Sequence, residues 1–131
     1  MNWEVRYLPE VLDDFRALDG SQRILVKQAI EKVSTNPLPD TEDGYGKRLR
    51  SKDHTQLAGF LKVKLRGARL RIVYQLVREK DSMVLVVIGA REDDEVYHIA
   101  HKRIQEHNYN WMSKMTLVSA HLLRQGEVIS G

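Results

Sequence analysis

Cysteine is absent from the 131 residues, which removes disulfide staples, thiol nucleophiles and cysteine-based zinc centres and fits a reducing compartment. No apolar run approaches the ~18 residues that a membrane-spanning helix needs. The opening Met1-Asn2-Trp3-Glu4-Val5-Arg6 also lacks the charged-then-apolar layout of a signal peptide. A soluble cytoplasmic protein with no membrane partner is the expectation. A third shortage is local. Between residues 46 and 78 there is 1 acidic residue against 10 lysines and arginines, a net of +9 inside a chain whose flanks carry −4 and −2. Such a block is the footprint of a polyanionic partner, nucleic acid first. Because apolar residues alternate through it, the block belongs to the fold and is not a disordered basic arm.

The alternation is clearest in Leu61-Lys62-Val63-Lys64-Leu65-Arg66-Gly67-Ala68-Arg69-Leu70-Arg71-Ile72-Val73-Tyr74. A period of two puts Leu61, Val63 and Leu65 on one face and the cations on the other. Gly67-Ala68 suits a two-residue type II′ turn, pairing Arg66 with Arg69, Leu65 with Leu70, Lys64 with Arg71, Val63 with Ile72 and Lys62 with Val73. Like charges directly opposite one another cost a few tenths to about 1 kcal/mol per pair. A hairpin that accepts this is either a solvated outer face or a surface awaiting an anion.

Around the hairpin the chain reads as β, α, α, strands, α. Trp3, Val5 and Tyr7 alternate as a first strand, and Pro9 opens a helix carrying Val11 or Leu12, Phe15 and Leu18 before Asp19-Gly20. Ser21 can cap a second helix with Ile24, Leu25, Ala29 and Val33 as its apolar positions, ended by Asn36-Pro37. Residues 38–57 read as a loop with a short edge strand near 47–50. Met83–Gly89 reads as a buried strand. Glu92, Asp93, Asp94 and Glu95 then lead a helix with an apolar stripe of Val96, Ile99, Ala100 and Ile104. Trp111, Met112, Met115, Val118 and Leu122 recur at helical spacing, so 110–124 is a further candidate helix. The fold class expected is α+β: an N-terminal αα-hairpin and a C-terminal helix packed on a small antiparallel sheet, with an extra C-terminal tail.

Lys62-Val63-Lys64-Leu65-Arg66, Arg71-Ile72-Val73-Tyr74-Gln75, Val87-Ile88-Gly89-Ala90-Arg91 and Glu95-Val96-Tyr97-His98 with Lys102-Arg103-Ile104 together resemble the RelE branch of the RelE/ParE toxin superfamily. The resemblance runs from Trp3 to about Ile104, so residues 1–104 are expected to form the toxin-like domain and 105–131 an extension. It implies a type II toxin: a ribosome-dependent endoribonuclease that cuts messenger RNA in the decoding site and is silenced by a cognate antitoxin. Ribosome, mRNA and antitoxin are the implied partners. ParE-like relatives poison DNA gyrase instead, so fold alone leaves that reading open, as it does a non-enzymatic regulatory module. The family's ribonuclease set is two lysines one residue apart, an arginine on the next strand, an arginine after the following strand and a tyrosine in the last helix. It falls on Lys62, Lys64, Arg71, Arg91 and Tyr97.

Cutting RNA through its own 2′-hydroxyl needs a base for that hydroxyl, an acid for the departing 5′-oxygen and positive charge around the phosphorane. Crowded cations favour a neutral lysine amine, so Lys64 or Lys62 is the candidate base. Arg71 and Arg91 are candidates for charge stabilisation, with Arg91 facing the leaving group, and Tyr97 for stacking on a base. Lys47, Arg48, Arg50, Lys52, Arg66 and Arg69 are candidates for gripping RNA phosphates, which supplies affinity and position but no sequence reading. His98, His101 and His107 miss the usual zinc spacings, so no metal and no cofactor are expected.

Overall fold

Pro9, whose fixed φ and missing N–H suit a first helical turn, follows Leu8 directly and sets the junction between the first strand and first helix. In the computed structural model residues 3–48, 60–90, 93–107 and 116–117 are described, with the side chains at 93, 94, 97, 107, 116 and 117 left aside. The elements are β1 (Glu4–Tyr7), α1 (Pro9–Arg16), α2 (Gly20–Val33), β2 (Lys47–Arg48), β3 (Phe60–Leu65), β4 (Leu70–Val77), β5 (Ser82–Gly89), α3 (Asp93–His107) and β6 (Thr116–Leu117). The strands form one sheet in the order β2-β3-β4-β5-β1-β6. Three helices on such a sheet make the α+β class that the sequence implies. One pairing departs from an all-antiparallel sheet: β1 runs parallel to β5, from Glu4 opposite Ser82 to Tyr7 opposite Leu85.

Helix α1 buries Val11 and Phe15 against this sheet, both fully enclosed. The cap of α2 is Asp19, not Ser21. Its carboxylate accepts from the Gln22 N–H at 2.8 Å while the Gln22 side chain accepts from the Asp19 N–H at 3.0 Å, a reciprocal capping box. The backbone hydrogen bond from Gln22 holds the Asp19 carboxyl below its ordinary value. The buried stripe of α2 is Val26, Ile30 and Val33, whereas Ile24 and Leu25 are exposed. Spacing of four and three residues from Val26 is as helical as the set expected from sequence.

Two hairpin turns share one backbone. Arg66–Ala68 and Arg78–Lys80 are 3-10 turns, followed by Arg69 and Asp81 in the left-handed region at φ 54° and 49°. The β3–β4 turn is therefore not a type II′ turn on Gly67-Ala68. Four residues separate Leu65 from its partner Leu70, and the positive φ falls on Arg69. The inner register is nonetheless the one the alternation requires, with Lys64 opposite Arg71 and Lys62 opposite Val73.

A tightly folded loop brings β2 to the edge of β3. The buried Tyr74 hydroxyl donates to the Pro37 carbonyl at 2.7 Å, and burial pushes the phenol far above its ordinary value, so it stays a donor. Gly46 lies against that phenol. A Cβ there would sit 2.3 Å from the Tyr74 hydroxyl and 2.9 Å from Leu61 Cδ1, so only glycine lets the loop close and deliver Lys47 to the sheet. On the far side, Thr116 and Leu117 pair antiparallel with Tyr7 and Arg6. These two residues are strand, which overturns a continuous helix over 110–124; the rest of that helix lies outside the described residues. An open β1 edge offers backbone hydrogen bonds that an amphipathic helix cannot use.

Candidate active site

Residues directly opposite in antiparallel strands share a face, with Cβ atoms about 5 Å apart, so the registers place the cations relative to one another. Lys64 pairs with Arg71 and Arg71 with Gly89, giving one row across β3, β4 and β5. Lys47 pairs with Lys62, Lys62 with Val73 and Val73 with Val87, giving a second row on the same face. Lys47, Lys62, Lys64 and Arg71 thus form a stepped cluster of positive charge, the Lys47–Lys62 pair across β2 and β3 offset by one strand from the Lys64–Arg71 pair across β3 and β4. Lys64 and Lys47 are exposed, Arg71 is half-buried, and Lys62 is enclosed at 3% exposure. The cationic face is therefore a partly enclosed floor and not a uniformly solvated surface.

The remaining sequence candidates scatter more widely. Arg48 pairs with Leu61, so it faces away from Lys47 and towards Glu42, on whose carboxylate it acts electrostatically. Arg66 and Arg69 are exposed in the β3–β4 turn, beyond the last strand pair, and do not join the cluster. Tyr97 belongs to α3 through its backbone, immediately after the fully buried Val96. The Tyr97 side chain, Arg91, Arg50 and Lys52 lie outside the described residues.

Sequence reasoning missed the device that orients the end of β5. β1 stops pairing at Leu85, and the β4–β5 register skips Val86 in a bulge between the Val73–Val87 and Tyr74–Leu85 pairs. Bulges re-aim a strand and occur next to functional sites. Beyond that point the bare edge of β5 is served by two side chains. The Ile88 N–H donates to Asp14 Oδ2 at 3.0 Å, and Arg103 Nη1 donates to the Val86 carbonyl at 2.8 Å. Arg103 also grips Asp14 through both nitrogens, at 2.7 and 3.0 Å. Asp14 comes from α1 and Arg103 from α3, so one two-pronged ion pair locks both helices to the strand that leads towards Arg91. The signal was a carboxylate placed next to Phe15 and three residues after Val11, on the margin of a buried helical stripe.

A small mixed sheet with helices on it and a cluster of lysine and arginine on one face defines the protein as a basic α+β domain. No family model matches the chain. A mutant of the E. coli toxin RelE in the free state superposes with a TM-score of 0.62 at 26% identity, covering 79% of this chain and 99% of that one. RelE in complex with an antitoxin RelBc peptide gives a TM-score of 0.56 at 26% identity, over 79% and 99%. In sequence, the mRNA interferase toxin RelE of Escherichia coli strain K12 is 30% identical over 93 residues, 71% of this chain and 87% of the relative. The chain belongs to the RelE-like toxin superfamily.

Proposed function

We propose that the protein is the toxin of a type II toxin–antitoxin system, an endoribonuclease that cuts messenger RNA in the ribosomal decoding site and is held inactive by a cognate antitoxin. The observation that carries this reading is the row of Lys64 opposite Arg71, flanked by the Lys47–Lys62 pair on the same face. Like charges at neighbouring cross-strand positions cost stability, and four cations gathered on one face make it a seat for an anion. The likeness to a RelE structure that binds an antitoxin peptide supports the same partner for this chain.

In the proposed reaction the 2′-oxygen attacks the adjacent phosphorus, the 5′-oxygen departs, and a 2′,3′-cyclic phosphate and a 5′-hydroxyl result. Lys64 is exposed where Lys62 is enclosed, so Lys64 is the lysine that RNA can reach, and in its neutral form it takes the 2′-hydroxyl proton to become an ammonium. Arg71 stabilises the negative charge that grows on the phosphorane. Arg91 stabilises the departing 5′-oxygen and gives it a proton that the guanidine regains from water, and Tyr97 stacks on a base next to the cut. Lys47 and Arg48, with Arg50 and Lys52, hold phosphates of the ribosome-bound RNA. The turn cations Arg66 and Arg69 extend that grip at the end of the hairpin. No metal and no cofactor take part in these steps.

Primer extension on a reporter message after brief induction in the absence of antitoxin tests the reading. Cuts inside codons and confined to the translated region are the expected result. Growth arrest without such cuts, accompanied by gyrase-dependent DNA damage, would transfer the protein to the ParE kind, and unimpaired growth would make it a non-enzymatic module.

A further inference from the structure

The row that carries Lys64 and Arg71 ends in a position without a side chain. Gly89 is the third member of that row, directly opposite Arg71. Glycine inside a strand weakens it, by entropy and by lost packing, and marks places where a ligand or another backbone approaches closely. The row beside it is filled at the same depth by Val73 and Val87, the β-branched residues that a strand prefers.

Neither steric conflict nor backbone conformation among the described residues requires glycine at 89. Among the described residues a Cβ built there would meet no heavy atom within 4 Å, and its φ lies outside the left-handed region. Gly46 provides the contrast, since a Cβ there collides with Tyr74 and Leu61. The backbone around Gly89 is also held firmly: Ile88 is tied to Asp14, and the Val86 carbonyl to Arg103. A fixed stretch of bare backbone beside a cation is a seat for something flat or anionic that must come close.

We propose that Gly89 is a substrate-positioning residue: the space above it, beside Arg71, receives the ribose-phosphate of the nucleotide being cut. The proposal deepens the RNA-cleavage reading and rests on it. A side chain at this position would lift the phosphate away from Arg71 and spoil its alignment with Lys64, while leaving the packing of the described residues untouched. Misplacement of reacting groups by about 1 Å costs on the order of 100-fold in rate.

The test is a size series, Gly89→Ala and Gly89→Val, with Lys64→Ala beside it, each measured for melting temperature, ribosome affinity and cleavage of ribosome-bound message. Cleavage should fall roughly 10-fold in Gly89→Ala and about 100-fold in Gly89→Val. Melting temperature should hold or rise and ribosome affinity should stay at the wild-type level, because the proposed docking cations Lys47 and Arg48 are untouched. Wild-type cleavage by Gly89→Val alongside a dead Lys64→Ala would overturn the seat and leave the ribonuclease reading standing. Wild-type cleavage by Lys64→Ala would overturn the ribonuclease reading itself. If Gly89→Val melts lower, Gly89→Ala decides: reduced cleavage at an unchanged melting temperature supports the seat, and full cleavage overturns it.

Discussion

The two faces of the β3–β4 hairpin are made from alternate residues of the same fourteen-residue stretch, and they answer to different demands. One face presents Leu61, Leu65, Leu70, Ile72 and Tyr74, buried or packed against the core. The other presents Lys62, Lys64 and Arg71 beside the fully buried Val73, with Lys47 brought alongside by β2. The buried apolar residues, most of them on the first face, carry the folding free energy, and that surplus allows like charges to stand opposite each other on the second. The division is testable, because it predicts which substitutions cost stability and which cost only function.

The largest stability effect belongs to the apolar side. Phe15→Ala removes a fully enclosed aromatic from α1 and should cost about 3–5 kcal/mol in chemical denaturation. Cleavage per folded molecule should not change. The second effect falls on the joint between the two regimes. Asp14→Ala leaves the Ile88 N–H without its acceptor and Arg103 with the Val86 carbonyl but no counter-charge, and the ion pair keeps only 16–17% of its side-chain surface exposed. Breaking it should cost about 3 kcal/mol, the lower end for buried pairs. Unlike Phe15→Ala, it should also lower cleavage in the molecules that remain folded, since it releases the end of β5.

A smaller effect, of opposite sign, sits in the turn. Arg69 bears a left-handed φ that costs a residue with a Cβ roughly 1–2 kcal/mol. Part of the relief in Arg69→Gly is offset by glycine's entropy, so a net gain of about 0.5 kcal/mol is expected. Smaller still is the exposed pair of Glu42 with Arg78, joined at 2.6 and 3.0 Å. The hydrogen bond from Arg78 holds the Glu42 carboxyl below its ordinary value. The folded state therefore favours the carboxylate, and the contribution is present at neutral pH and lost as pH falls through the lowered value. A Glu42→Gln variant should be less stable than wild type at pH 7, and the difference should vanish as pH falls through the lowered value.

Much of this division was legible in the sequence. The alternation of Leu61 to Leu65 with Lys62 and Lys64 fixes the faces, and the facing residues of β3 and β4 follow from it. The turn was misread because a glycine invites the positive φ, yet a 3-10 turn passes that conformation on to Arg69. In α2 the stripe of Val26, Ile30 and Val33 competed with Ile24 and Leu25, and local periodicity cannot choose between two helical sets. Parallel pairing of β1 with β5 and the strand at Thr116-Leu117 depend on which edges the finished sheet leaves open, a tertiary fact. Asp14 and Arg103 are 89 residues apart, and no spacing rule joins them. The Lys47–Lys62 pair depends on Gly46 closing a loop onto Tyr74, so sequence could identify Lys47 as a cation but not as a neighbour of the row.

The most direct test of the division is one preparation of Lys64→Ala, measured for both its denaturation midpoint and its cleavage of ribosome-bound message. Removing one member of a like-charge pair should leave stability equal to wild type or higher by a few tenths to about 1 kcal/mol, while cleavage falls at least 100-fold. A lowered midpoint with cleavage reduced in proportion would make Lys64 a structural residue, and retained cleavage would remove the cationic row from the chemistry.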